Sequence, residues 1–218
     1  TLIIMLDVYD RSIFEMRNVF TTEQCRAFID YHEQSQGKKI GQVIESHSGK
    51  RIIYDKIKKT SDVYLDERDK LFEIFKQGVR KVHTNYMKHL DVINEKCGLR
   101  IFGKSRIQVP TIARTDKGGY FDWHSDYSED PNECRILAII VYLNDIDEEN
   151  GGSTEFNSGR KVQPEMGKIL IFPTSDLHLH KGNIIIKGGS KYIMTSFLER
   201  PKHHDQHFDD LPFLVKKN

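Results

Sequence analysis

The sequence predicts an α+β chain with a mainly β core of the sandwich or barrel kind. After Gly98 the chain breaks into nine short β-prone runs. Glycine-rich turns separate several of them: Lys117-Gly118-Gly119, Asn150-Gly151-Gly152, Ser158-Gly159 and Gly188-Gly189. Many short strands at this spacing suggest a closed or layered β architecture rather than βαβ units. Before Gly98, two segments change to helical periodicity.

In chain order, Leu2 to Leu6 and Ile13-Phe14-Glu15-Met16 read as strand material. Thr21 or Thr22 can cap a helix that has Glu23 or Gln24 in its first turn. Phe20, Cys25, Phe28, Ile29 and His32 then recur at helical spacing, and this helix is expected to end near Gly37. Gly41 to Ile44 and Arg51 to Tyr54 are short β-prone runs around a turn at Ser48-Gly49. The longest helix is expected over residues 66 to 96. Its apolar stripe is Leu71, Ile74, Phe75, Val79, Val82, Tyr86 and Leu90, and Asp66, Glu67 and Asp69 stand at the end where the helix dipole favours acid. That stripe reads as core.

The nine later runs are Ile107 to Val109, Ile112 to Arg114, Tyr120 to His124, Arg135 to Leu143, Thr154 to Phe156, Lys168 to Phe172, His178 to Lys181, Asn183 to Ile186 and Lys191 to Leu198. The tail from Pro201 is polar and carries His203, His204 and His207, which read as a solvated surface rather than a second metal site.

Composition narrows the function classes. A chain of 218 residues suits one domain with a sizeable core. Lysine and arginine total 33 against 32 acidic residues, so no strong field for nucleic acid or an acidic membrane is expected. Three scattered cysteines, Cys25, Cys97 and Cys134, form neither a disulfide framework nor a zinc knuckle. They fit a reducing compartment, and a cytoplasmic setting is favoured. The opening Leu2-Ile3-Ile4-Met5-Leu6 is too short for a membrane span and lacks the basic flank of a signal peptide, while a leader removed before Thr1 stays open.

The chemistry gathers around Gly119-Tyr120-Phe121-Asp122-Trp123-His124-Ser125-Asp126. On a strand, residues two apart project from one face, so an imidazole of His124 and the carboxylate of Asp126 can converge on one point. A histidine far downstream can close a three-point site. Two histidines and one carboxylate with open positions are the arrangement that suits non-haem iron in oxygen chemistry. By strand parity both His178 and His180 can supply the third ligand. Trp123, the only tryptophan, reads as packing.

From residue 18 to 198 the chain resembles the iron(II)- and 2-oxoglutarate-dependent dioxygenases, most closely the prolyl 4-hydroxylase branch. The motifs follow in the family's order: Val19 to Cys25 at a helix opening, Lys59-Thr60-Ser61, and His124-Ser125-Asp126. Tyr142-Leu143-Asn144-Asp145 and Gly151-Gly152-Ser153-Thr154-Glu155-Phe156 come next. Gln163 to Pro173, His180-Lys181-Gly182 and Gly189-Ser190-Lys191-Tyr192 complete the series. The family's Leu-His-x-Gly context and its interval to the later lysine favour His180 over His178. The chain departs from the branch at Arg114-Thr115 and Phe121, where the family often has tyrosines that border the oxoglutarate and substrate pocket.

The resemblance implies a double-stranded β-helix, a cupin-like jelly roll, with flanking N-terminal helices and the site at one open end. It divides a single catalytic domain into a helix-rich support region (1–98), the jelly-roll core (99–200) and a tail (201–218). It implies that His124, Asp126 and His180 hold Fe(2+), and that Lys191 anchors the far carboxylate of 2-oxoglutarate, with hydroxyl contacts from Tyr142 and Thr195. Dioxygen would be the oxidant and ascorbate a candidate reductant. The implied reaction is C–H hydroxylation, most closely of a peptidyl proline in a proline-rich peptide or protein, with succinate and carbon dioxide released. The same chemistry on free proline, a lysyl side chain or a small metabolite stays open, as does a jelly-roll binding module without turnover. The segment from Lys38 to Ser61 is expected as an unpaired, flexible cover over substrate. No nucleic-acid or membrane partner is expected.

Overall fold

The computed structural model describes residues 11–44, 51–97, 104–127, 134–200 and 211–212. The expectations for Leu2 to Leu6, the Ser48-Gly49 turn and the His203, His204 and His207 tail fall outside these residues.

The first half supplies strands β1 (Phe14–Met16), β2 (Lys39–Ile40), β3 (Val43–Ile44), β4 (Arg51–Ile52) and β5 (Ser61–Tyr64), with helices α1 (Thr22–Gln34) and α2 (Lys70–Cys97). The second half supplies β6 (Lys104–Ile107), β7 (Thr111–Thr115), β8 (Phe121–His124), β9 (Arg135–Tyr142) and β10 (Thr154–Phe156). After these come β11 (Lys161–Val162), β12 (Ile169–Pro173), β13 (His180–Gly182), β14 (Lys191–Glu199) and β15 (Leu211–Pro212).

The strands form two main antiparallel sheets. The larger runs β1-β12-β9-β14-β7-β5-β2, with β6 beside β14 and β15 beside β6. The smaller runs β11-β10-β13-β8, and β3 and β4 make a separate ribbon. This is the expected jelly-roll core. The central strand β14 pairs with both β9 and β7, so its inward residues look onto the space between the sheets.

Helix α1 begins where the sequence places it. The Thr21 hydroxyl accepts the Gln24 N–H at 3.3 Å, and the Gln24 side-chain oxygen accepts the Thr21 N–H at 3.0 Å. This reciprocal box satisfies two amides that no helical carbonyl can reach. The helix ends at Gln34, earlier than the expected Gly37, because Ser35 turns to extended backbone. Helix α2 starts at Lys70 rather than 66. Asp66 accepts from Arg68 N–H in the turn before the helix, and Asp69 accepts from Leu71 N–H in its first turn. Its buried face, Leu71, Phe72, Phe75, Val79, Val82 and Tyr86, packs into one core with Phe28 of α1 and with Ile139, Ile169 and Ile171 of the larger sheet.

Several local readings differ from the sequence expectation; Gln108 and Val109, for example, lie beyond the end of β6, and Lys161–Val162 is an unexpected short strand. Ser61–Tyr64 is a strand in the larger sheet, paired with β7, although its mixed composition gave no strand signal. Asn183 to Ile186 is not a strand. It makes one isolated bridge, Gly151 with Ile185, and its amides reach Ser153, Gly119 and Asn150 in turn rather than one partner. The Asn183 amide side chain also binds Ser153 and Glu155, and such side-chain bonds compete with a regular ladder. Finally, His178 closes a 3-10 turn, Asp176–His178, and lies outside any strand.

Candidate metal and oxoacid site

Strand β8 carries His124 and strand β13 carries His180, and the two residues are direct partners in the antiparallel register. Asp126 follows two residues after His124. The Asp126 carboxylate reaches both rings, with Oδ1 3.8 Å from His124 Nε2 and Oδ2 3.5 Å from His180 Nε2. One ligand atom from each of the three lies within 4.8 Å of the others.

Both imidazoles are oriented by main-chain carbonyls. His124 Nδ1 is 2.7 Å from the Asp122 carbonyl oxygen, and His180 Nδ1 is 3.1 Å from the His178 carbonyl oxygen. A carbonyl only accepts, so each Nδ1 carries the proton and each Nε2 presents its lone pair inward. Burial and the neighbouring His180 hold the His124 pKa down to about 4, which keeps that ring neutral and able to ligate. Phe121 stacks on His124 with centroids 3.6 Å apart, and Phe172 meets His180 edge-on at 4.8 Å. The rings are therefore held by packing as well as by hydrogen bonds.

His178 does not share this face. Its Nε2 contacts the Ser12 hydroxyl and its Nδ1 the Ser175 hydroxyl, both at 2.7 Å. The parity argument fails because the chain is a 3-10 turn at 178 and extends only from 180. Of the two sequence candidates, only His180 stands with His124 and Asp126.

The three residues border a cavity of about 1150 Å³ between the sheets. Its far wall is β14, where Lys191, Ile193, Thr195 and Phe197 alternate inward. Lys191 is buried, with 4% of its surface exposed. Its ammonium donates to the Gly152 carbonyl at 2.9 Å, and no carboxylate pairs with it among the described residues. Burial pushes its pKa down to about 8. A β-carbon built on Gly182, two residues past His180, would stand 3.6 Å from that ammonium. The cation thus sits close behind the histidine cluster. A buried ammonium without a counter-charge is costly unless an anion joins it, so the residues present fit a divalent metal at the cluster and a carboxylate beyond it.

Gly151 and Gly152 make the Lys191 contact possible. Both have positive φ, at 80° and 71°, which an L side chain rarely adopts. A β-carbon on Gly151 would also collide with the Ile184 carbonyl.

Thr195 lines the cavity on the same face as Lys191. Tyr142 is fully buried and is not among the lining side chains; its hydroxyl donates to Thr154 Oγ1 at 2.7 Å. Thr154 does line the cavity. In the sequence Thr154 is one residue of the Gly151 to Phe156 motif, with nothing local to mark it as a contact. The available signal was its place two residues after the Gly151-Gly152 pair, at the start of β10.

The segment from Lys38 to Ser61 forms part of the cavity wall through Lys39, Ile40, Val43, Ile57, Lys58 and Thr60. It is not unpaired. Asp122 N–H donates to the Ile57 carbonyl at 2.7 Å and Lys59 N–H to the Tyr120 carbonyl at 2.9 Å, so it covers the outer edge of β8. Lys58 binds Asp62 at 2.7 Å and lies over Phe121, 5.2 Å from the ring centre. Trp123, expected in packing, is instead 44% exposed and lines the cavity beside Tyr127 and Tyr64. Lys181 sits 4.7 Å from its ring centre.

A jelly roll with two histidines and a carboxylate between its sheets defines a class of mononuclear metal site. Comparison with known proteins agrees with that class. Residues 110–199 match the 2OG-Fe(II) oxygenase superfamily. Two PKHD-type hydroxylases of Synechococcus, strains CC9902 and CC9605, are each 26% identical over 97 and 92 residues. These matches take in 43% and 40% of this chain, and the chain spans only 42% and 40% of the two relatives.

Among solved structures, the viral collagen prolyl hydroxylase of Paramecium bursaria Chlorella virus-1, in its 2OG complex, superposes with a TM-score of 0.64 at 17% identity, covering 88% of this chain and 97% of that one. The prolyl hydroxylase of Trichoplax adhaerens, in complex with a hypoxia inducible factor oxygen degradation domain peptide fragment, gives 0.65 at 14% identity, with coverages of 89% and 87%. A Pseudomonas putida prolyl-4-hydroxylase gives 0.60 at 14% identity, with 91% and 100%. Residues 110–199 thus match a 2OG-Fe(II) oxygenase model, and the fold is similar to that of solved prolyl hydroxylases.

Proposed function

We propose that the protein is an Fe(II)- and 2-oxoglutarate-dependent dioxygenase that hydroxylates a prolyl residue of a peptide or protein. The observation that carries this reading is one cavity bordered by both the His124, Asp126 and His180 cluster and the buried ammonium of Lys191.

In this reading His124 Nε2, His180 Nε2 and an Asp126 oxygen hold the metal, leaving its other positions open. Lys191 binds the far carboxylate of 2-oxoglutarate as a point charge, and Thr154 and Thr195 offer hydroxyls from the same cavity. Tyr142 donates to Thr154, which leaves the Thr154 hydroxyl proton free to point toward the anion. The bound metal and oxoacid supply the oxidising power: substrate, dioxygen and 2-oxoglutarate become hydroxylated substrate, succinate and carbon dioxide. The chain's part is to orient these groups and to keep water away with Phe121, Phe172, Ile140 and Ile193.

The substrate assignment has separate support. Trp123, Tyr127 and Tyr64 are exposed aromatics at the cavity, and flat aromatic faces suit an extended proline-containing chain. The similar proteins are described as prolyl or PKHD-type hydroxylases, one of them with a peptide bound. Among the described residues no helix is long and apolar enough to cross a membrane.

The test is succinate formation from 2-oxoglutarate with ferrous iron, with and without dioxygen and a proline-rich peptide whose mass is followed. Peptide-stimulated, oxygen-dependent succinate with one oxygen added to the peptide is expected. Succinate that ignores the peptide overturns the substrate class. Neither succinate nor oxoglutarate binding overturns the enzyme and favours a binding module.

A further inference from the structure

We propose that His178 is a positioning residue for the metal site: its side chain locks the carbonyl that aims His180 Nε2 at the metal. The proposal rests on the reading of His124, Asp126 and His180 as ligands.

Three observations carry it. First, the His178 carbonyl oxygen accepts from His180 Nδ1 at 3.1 Å. It is the contact that selects the tautomer and turns Nε2 inward. A ligating histidine needs such a partner on its other nitrogen, because a free ring can rotate or carry its proton on the wrong atom.

Second, this carbonyl lies at the end of a short turn rather than in a ladder. His178 N–H donates to the Ser175 carbonyl at 2.8 Å, and the turn spans only Asp176–His178. Leu177 on the same turn is 70% exposed, so it adds little packing to hold the turn in place. An isolated turn of this length has weak intrinsic preference for one position.

Third, the His178 side chain supplies the missing anchor. It is buried, and both ring nitrogens are engaged at 2.7 Å, Nδ1 with the Ser175 hydroxyl and Nε2 with the Ser12 hydroxyl. The neutral ring donates from one nitrogen and accepts at the other, and either serine can answer in kind. Ser12 stands just before β1 and is itself held, since the Tyr86 hydroxyl of α2 donates to its carbonyl at 3.0 Å. A continuous chain of bonds therefore runs from Tyr86 through Ser12 and His178 to His180. It ties the residues just before β1 to the metal cluster.

Strand parity alone makes His178 look like a rival ligand. In three dimensions it is not one: it faces away from the cluster, and its backbone serves the ligand that its side chain does not replace.

The experiment is a cobalt(II) titration of metal-free protein, read by visible absorption, without turnover. The variants are His178→Gln, His178→Leu, Ser175→Ala and Ser12→Ala, with thermal unfolding of each metal-free form alongside. We expect His178→Leu to weaken cobalt binding about 10- to 100-fold and to change the d–d band shape. His178→Gln should recover part of the affinity because an amide can reach at least one serine. Each serine variant should lose less than His178→Leu, and Ser12→Ala on top of His178→Leu should cost nothing further.

If every variant binds cobalt as the parent does, with the same spectrum, His178 does not position the site. The milder serine variants keep the question decidable should His178→Leu fail to fold. If the parent protein itself binds no cobalt, or binds it equally well after His180→Ala, the ligand reading has failed instead.

Discussion

His124 and His180 face each other across the β8–β13 register, with ring centroids 4.2 Å apart and planes inclined at 57°. Each has its Nδ1 on a backbone carbonyl and its Nε2 near Asp126. The geometry is that of two lone pairs and a carboxylate awaiting one cation.

Removing any one ligand should therefore abolish turnover without unfolding the chain. For Asp126→Ala we expect no detectable succinate and metal binding weakened by more than about a hundredfold, since losing a ligand should exceed the loss caused by its supporting partners. Far-ultraviolet circular dichroism should be unchanged. Full activity in Asp126→Ala would overturn the metal assignment.

Lys191 should control oxoglutarate rather than metal. Lys191→Ala should raise the KM for 2-oxoglutarate by about tenfold to a hundredfold, the worth of a charge-assisted bond of about 1.5–3 kcal/mol. Cobalt affinity should stay near the parent value. Steady-state kinetics beside the cobalt titration separates the two.

The same lysine sets a pH dependence. Its folded pKa is lowered to about 8 by burial. The ammonium proposed to bind the anion is present below that value and is lost as pH rises through it. Oxoglutarate affinity of the metal-loaded protein should fall above about pH 8, and a bound carboxylate should move the fall to higher pH. For the ligand-free fold the sign is opposite: a depressed lysine pKa opposes folding while the group is charged, so this contribution becomes less unfavourable between about pH 8 and the unfolded lysine value. Binding isotherms across pH 7 to 10 check the first statement; an affinity that does not change with pH in Lys191-containing protein contradicts it.

Thr154 and Tyr142 should separate by kind of effect. Thr154→Val should raise the oxoglutarate KM while Tyr142→Phe should chiefly lower stability, by about 1 kcal/mol for one buried hydrogen bond. Urea unfolding and KM measured on both variants distinguish contact from support.

Asp62 holds Lys58 over Phe121, which stacks on His124. Both partners are mostly buried, so Asp62→Ala leaves an ammonium without its carboxylate in the cavity wall. A loss of about 3 kcal/mol of stability is expected, read by urea unfolding. Lys58→Met with Asp62→Leu together should lose less than Asp62→Ala alone.

Much of the site was readable because its parts are local. His124 and Asp126 are two apart on extended chain, and Lys191 and Thr195 share strand parity. The Thr21 cap and the α2 stripe follow from side-chain chemistry and periodicity. The errors fall where local pattern and tertiary contact disagree. His178 shared parity with His180 only on the assumption of an unbroken strand. Trp123 looked like core by residue type and proved to border the cavity. Ser61–Tyr64 lacked any β signal and became a strand because β7 offers it an edge.

The sequence by itself determined the two kinds of element, the β texture after Gly98 and the residues able to ligate a metal or anchor an acid, since these depend on periodicity and side-chain chemistry. Tertiary structure alone decided that the His178 side chain binds Ser12 and Ser175 instead of joining the cluster, that Thr154 stands between Tyr142 and the cavity, and that the Lys191 ammonium is buried with no carboxylate beside it among the described residues. Those outcomes depend on which strands become neighbours. Antiparallel pairing of β8 with β13 and of β14 with β9 and β7 is set by burial of the whole core, and no short stretch of sequence carries that information.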